Sequence, residues 1–330
     1  MLGWGRLAFG VALFAVVAFT AARDWRDVHA TISRLSVLQL AGAEALALLG
    51  LGASVLTWRR ALSELGSSVR LPAAGKIYLI GQLGKYVPGS VWAFVMQMEL
   101  GRSAGISRTR VVASSVLAIG INLVVGFALG LPAVSELLGG GTWVVVLAVC
   151  ALIVAAVALT PPGLSFAARW LARMTPRVGR LGGVTWGGIL SAAGWSIVSA
   201  TCFGLSLWVL VLGHGNGSTA KTLWLCIAGT ALAMTAGFLV VIAPSGLGVR
   251  EATLVAVLAP TLKTSEALAF ALVLRLVFTV ADLVAAGITA PVRTGTSRRV
   301  PDPLPERAGF ARRVSRRLRP TTAFTRDRTR

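Results

Sequence analysis

The sequence is short of acid. It sets 12 Asp and Glu against 32 Lys and Arg, for a formal net charge of +20, and charged residues of either sign make up only 13% of the chain. So little charge cannot cover the surface of a soluble domain of this length. Histidine occurs twice and cysteine three times. No His, Cys, Asp or Glu cluster has metal-ligand spacing, so no metal site is expected. Cys150, Cys202 and Cys226 all fall in apolar segments and read as small buried hydrophobes rather than a disulfide framework. P-loop, G-x-S-x-G and H-E-x-x-H motifs are missing as well. "PSGLGVRE" at 244–251 has the glycines of a phosphate loop but neither the Lys-Ser/Thr nor a preceding strand. No cofactor and no enzymatic activity are expected.

What is present is apolar length. Hydrophobic residues make up 55% of the chain and the mean hydropathy is +0.78. A helix needs ~20 residues to cross ~30 Å of hydrocarbon. Apolar segments of about that size recur at 2–22, 36–57, 74–98, 111–131, 142–160, 186–212, 221–243, 245–259 and 266–290. The first reads as a retained helix, because no convincing cleavage site follows it. Two parts are expected: a transmembrane domain over 1–292 and a basic tail over 293–330. The tail holds 12 Arg against three acids, a composition that stays solvated. Its "FARRVSRRLR" (310–319) suits either a free positive tail or a short helix on anionic lipid headgroups. On a soluble chain such charge would suggest nucleic acid; here the arginines belong to loops and tail, so no nucleic-acid partner is expected.

Charge by loop sets a topology. The loops at 58–76, 99–110 and 161–185 and the tail are rich in Arg and Lys, which belong in the cytoplasm. Those at 132–141 and 213–220 have none, and 260–265 has Lys263 alone. The basic loops at 58–76 and 99–110 flank segment 74–98 and want the same side. That segment should therefore dip into the membrane and return. "GQLGKYVPGSVW" (81–92) supplies the break through Gly84, Pro88 and Gly89. Non-helical backbone at that depth survives only against protein or water.

Sliding the chain by 156 residues lays "VPGSVW" (87–92) on "APSGLG" (243–248), and 111–131 on 267–287. By charge the two units run in opposite directions, as in the inverted repeats of secondary transporters. The expected fold is an all-α polytopic membrane protein with about six full crossings and two re-entrant hairpins, 74–98 and 221–259. The second breaks at Pro244, Gly246 and Gly248. Two plain crossings for 221–259 would give eight spans with the same parity. Both termini are expected in the cytoplasm.

Charges at bilayer depth cost at least ~2.5 kcal/mol each and usually face protein or a wet cavity. The candidates are Glu44, Lys85, Arg250, Glu251, Arg275 and Asp282. Arg275 and Asp282 lie seven apart and so share a helix face. Arg250 and Glu251 follow a glycine-rich break, where a helix N-terminus attracts anions. One reading is a cavity lined by Lys85, Arg250 and Arg275 for a phosphate-bearing headgroup. The other is that these bases pair with Glu251 and Asp282 and hold the units together. Tyr86 and Trp92 flank the first break as packing residues, interface anchors or headgroup contacts. Glu99 with Arg102 reads as a local ion pair, and Asn122 as an interhelical hydrogen bond.

"GQLGKYVPGSVWAFVMQMELGRSAGISR" (81–108), "APSGLGVREATLVAVLAP" (243–260) and "LRLVFTVADLVAAG" (274–287) resemble the lysylphosphatidylglycerol synthase transmembrane-region family. The family's first motif matches Lys85, Tyr86, Pro88, Gly89 and Trp92. Its second matches Pro244, Gly246, Gly248, Arg250 and Glu251. The resemblance implies a flippase-like protein of the bacterial cytoplasmic membrane that moves a phospholipid, aminoacylated lipid or glycolipid between leaflets. The short tail implies the translocation half without the aminoacyltransferase. The partner is then a membrane lipid, with a homo-oligomer or a separate lipid-modifying enzyme left open. A non-transporting membrane partner of such an enzyme is the alternative.

Overall fold

The computed structural model describes residues 25–86, 92–137, 142–163, 184–214, 219–239 and 248–292. The expected span 2–22, the arginines of 164–183, and Pro88, Gly89, Pro244, Gly246 and the tail lie outside them. Among the described residues all regular structure is helical. The helices are α1 (Trp25–Ser33), α2 (Val37–Glu64), α3 (Leu71–Gly75), α4 (Trp92–Ser103), α5 (Arg108–Leu137), α6 (Thr142–Ala158), α7 (Trp186–Val211), α8 (Thr219–Leu239), α9 (Val249–Leu258) and α10 (Thr264–Thr289). Between α3 and α4 the chain takes a π-helical turn, Lys76–Ile80, and a 3-10 turn, Leu83–Tyr86. Five helices, α2, α5, α7, α8 and α10, are long and apolar enough to cross a bilayer. The protein is a multi-pass membrane protein.

Helices α2 and α7 pack against each other and run antiparallel. Gln39 at the start of α2 donates to the carbonyls of Val209 and Leu212 at the end of α7. The Ser54 and Ser199 hydroxyls meet at 2.7 Å, and Ser206 donates to the Ala43 carbonyl at 2.8 Å. At the far end Glu64 accepts from the amide and hydroxyl of Thr185, the N-cap of α7. Lipid tails give apolar helices no reason to associate, so small residues and such hydrogen bonds carry the contact. Helix α2 begins at a capping box: Ser36 accepts from the Gln39 amide, and the Gln39 side chain accepts from the Ser36 amide.

Helix α2 outruns its expected apolar segment, which ends at residue 57. Its last turns stay helical because Trp58, Ala61 and Leu62 are buried there, and Arg59 donates to the Val69 carbonyl at 2.9 Å. Other basic residues gather at the same end. Arg110 donates to the Gly66 carbonyl, and Lys76 donates to the carbonyls of Ala290 and Val292, past the last turn of α10.

Two helical hairpins fill the remaining space. In the first, the arm 71–86 packs against α4. Gly84 sits so close to α4 that a Cβ there would lie 2.5 Å from the Ala93 backbone nitrogen. In the second, Gly229 faces Val257 and Gly237 faces Arg250, so α8 and α9 are antiparallel. The return arms α4 and α9 have 12 and ten residues, or ~18 and ~15 Å of helix. Neither spans ~30 Å. The offset of 156 residues reappears in the element boundaries. It carries Arg108, the start of α5, onto Thr264, the start of α10, and it carries Trp92, the start of α4, onto Gly248, the N-cap of α9.

Several polar side chains inside the bundle find partners across it. The Trp58 indole donates to the Ser115 hydroxyl at 3.0 Å, which donates to the side-chain oxygen Oε1 of Gln97 at 2.6 Å. Asn122 accepts from Ser196 at 2.6 Å, joining α5 to α7. Arg102 pairs with Glu99 at 2.8 Å on an exposed face.

Candidate functional site

One face of α10 organises the site. Arg275 and Asp282 lie two turns apart on it, ~10 Å along the axis. Each holds one hairpin. Asp282 takes the first: Lys85 Nζ lies 2.5 Å from its Oδ2, and the Tyr86 hydroxyl donates to that same oxygen at 2.6 Å. The ammonium also stands 5.3 Å from the centre of the Tyr86 ring. Arg275 takes the second: its Nη1 donates to Glu251 Oε1. The other oxygen of Glu251 accepts the Gly248 amide at 2.8 Å. Both carboxylates are almost fully buried, at 3% exposure.

Local sequence accounts for these positions. The 3-10 turn Leu83–Tyr86 ends on Lys85 and Tyr86, which directly precede the Pro88–Gly89 break in the sequence. At the second break Gly248 takes a φ of +83°, a conformation that costs other residues ~1–2 kcal/mol. That turn starts α9 and sets Arg250 and Glu251 in its first turn. The sequence suggests an open helix N-terminus here, ready for an anion. One amide of that end, the Gly248 N-cap amide, is taken by Glu251, which reaches back to accept it.

Lys85, Tyr86, Arg250, Glu251, Arg275 and Asp282 all line one cavity. Its remaining wall is largely apolar and includes Leu51 of α2, Phe203 of α7, and Leu274 and Phe278 of α10. The cavity measures about 80 Å³, where ~10–15 Å³ of such space holds one water. It has room for several waters or a small anion, and a full lipid headgroup needs it to widen.

The charged residues do not share one status. Lys85 and Arg275 each face a buried acid. Arg250 makes no ion pair among the described residues, and its buried Nε has no hydrogen-bond partner. The stem of Arg250 lies along Gly237 of α8, where a Cβ would approach its Cγ and Nε to 2.7 Å. Thr230 of α8 lines the same cavity, and its buried hydroxyl is also without a partner.

Some expected residues fall elsewhere. Trp92 opens α4, is about half exposed and does not line the cavity. Gly84 acts at the crossing of the first hairpin's arms, and Gly248 acts through its backbone. Pro88, Gly89, Pro244 and Gly246 lie outside the described residues. Glu44 of α2 has a buried carboxylate oxygen with no hydrogen bond, yet it is not part of the cavity wall. Sequence reasoning missed Thr230 and Thr279. Threonines in apolar helices usually bond the preceding turn, as Thr279 does to the Arg275 carbonyl, and nothing in the sequence distinguishes one that faces a cavity.

Comparison with known proteins agrees with the motifs. Residues 5–286 match the family described as the lysylphosphatidylglycerol synthase TM region. The match covers most of the chain, and the protein belongs to that family. No curated protein matches it.

Proposed function

We propose that the protein is a lipid translocase, moving a phosphate-bearing lipid between the leaflets of a bacterial cytoplasmic membrane. The headgroup passes through the cavity between the two hairpins while the acyl chains stay in the bilayer. The observation that carries this reading is the convergence of two broken elements on one charged cavity beside α10. Family membership supports it by linking the chain to lipid handling. Broken helices that meet at mid-depth are how transporters expose backbone and charge to a polar cargo.

In this reading the return arms α4 and α9 make both hairpins re-entrant, entering from opposite faces. The antiparallel pair α2 and α7 then relates the two inverted units. With 2–22 and α6 as accessory crossings the chain crosses six times. The end that gathers Arg59, Arg110 and Lys76 faces the cytoplasm, as do both termini. No catalytic step is assigned. Movement draws on a gradient or on removal of the lipid from the far leaflet.

Leaflet exchange in proteoliposomes tests the reading. Purified protein should exchange a labelled phospholipid, and Arg250→Ala, which breaks neither ion pair, should abolish exchange while leaving a monodisperse, helical protein. Full exchange by that variant overturns the role of the breaks. No exchange of any phosphate-bearing lipid by the folded wild type overturns translocation.

A further inference from the structure

The cavity has an unbalanced charge count. Its cations are Lys85, Arg250 and Arg275; its anions are Glu251 and Asp282. Two of the cations are spent on the two acids. Within the cavity wall one positive charge is left, on Arg250; the Glu44 carboxyl of α2 lies outside the wall. The segments that continue the two breaks, "VPGSV" (87–91) and "VVIAPSGL" (240–247), contain no ionisable side chain and leave this count unchanged. Two polar groups in the cavity wall also lack a partner, the Arg250 Nε–H and the Thr230 hydroxyl. A buried donor without an acceptor costs about 1–3 kcal/mol, so both favour a guest rich in acceptor oxygens.

We infer that the site takes a headgroup of one negative charge, a phosphodiester, held by Arg250 and Thr230. This rests on the translocase reading and narrows its cargo. A phosphodiester carries one charge and two non-bridging oxygens, one for each unpaired donor. A phosphomonoester carries nearly two charges at neutral pH, since its second pKa is ~6. Its second charge would have to draw Lys85 or Arg275 away from a buried acid, which costs more than the pairing returns. A headgroup whose amines outnumber its phosphate brings net positive charge to a wall that is already positive. Lys85 and Arg275 therefore hold the hairpins on α10, and Arg250 carries the binding.

Native mass spectrometry of the full chain in detergent reads the preference without requiring transport. The probes are phosphatidylglycerol, phosphatidic acid and lysylphosphatidylglycerol, at pH 8, where the monoester is a dianion. Wild type should retain phosphatidylglycerol above the other two. Arg250→Gln breaks neither ion pair and should weaken that retention about tenfold or more. Asp282→Asn adds one net positive charge, keeps an acceptor for Tyr86, and should move the preference toward phosphatidic acid. Equal retention of all three lipids, or full retention by Arg250→Gln, overturns the inference. Leaflet exchange of the same lipids is measured in parallel. The expected preference without exchange removes translocation and leaves the charge class standing. Exchange without the preference does the reverse.

Discussion

The two hairpins occupy matching places and differ in chemistry. Their return arms begin at Trp92 and Val249, one residue off the 156-residue repeat. Their entering arms are unlike. The first holds Pro72, Gly75, Gly81 and Gly84 within 71–86 and breaks into a short helix, a π turn and a 3-10 turn. The second is a single helix of 21 residues with no proline in it. Their bonds to α10 have opposite polarity: the first hairpin gives the base and α10 the acid, while the second gives the acid and α10 the base. A repeat can thus preserve where the chain turns while reversing which partner bears which charge. The reversal lets one helix hold both hairpins with one residue of each sign.

Breaking either clasp should have the largest effect. Arg275→Met leaves Glu251 buried and unpaired, at a cost of about 3–5 kcal/mol. Adding Glu251→Gln should recover most of it, so a double-mutant cycle on thermal melts in detergent isolates the pair. Lys85→Met should behave likewise against Asp282, with Asp282→Asn as its rescue. Strict additivity in both cycles would mean that neither clasp contributes. A smaller effect separates the hairpins by backbone. Gly84→Ala meets the Ala93 backbone and should cost about 1–3 kcal/mol through overpacking. Gly248→Ala meets a positive φ and should cost about 1–2 kcal/mol through strain. Leaflet exchange should fall in both variants, and a Gly84→Ala protein as stable as wild type would show that the arms of the first hairpin need not touch.

Much of this is legible in the sequence. Apolar length gave the helical membrane class. The unequal Arg and Lys content of successive loops singled out 74–98 as a segment flanked by basic loops. Pro and Gly punctuation gave the 156-residue offset, which the starts of α5 and α10 repeat. The seven-residue spacing put Arg275 and Asp282 on one face. The choice between bound substrate and internal ion pairs was not legible, because spacing along one helix says nothing about which acid each base meets in another. That choice divided the cations: Lys85 and Arg275 are paired, and Arg250 is not. Arg59 and Arg60 read as loop residues by hydropathy. Buried Trp58 and Leu62 keep that stretch helical, with each charge able to reach the helix end along its own stem. The role of Gly84 was half visible: a break was expected, and the close approach to Ala93 is a tertiary contact.

The smallest predicted effects mark the edge of the site. Ser115 links α5 to both α2 and α4, accepting from Trp58 and donating to Gln97. Ser115→Ala removes both bonds beneath the first hairpin, and the second has no counterpart, since the matching position is Ala271. Hydrogen bonds of this kind in membranes average ~0.6 kcal/mol, so the loss should be about 1 kcal/mol. The exposed Glu99–Arg102 pair beyond it should give less, about 0–0.5 kcal/mol for Arg102→Ala. Melts at low and high salt separate the two, because only the exposed pair is screened. If Ser115→Ala instead lowers exchange as much as Gly84→Ala does, the first hairpin depends on its packing against α5 and not on its clasp to Asp282 alone.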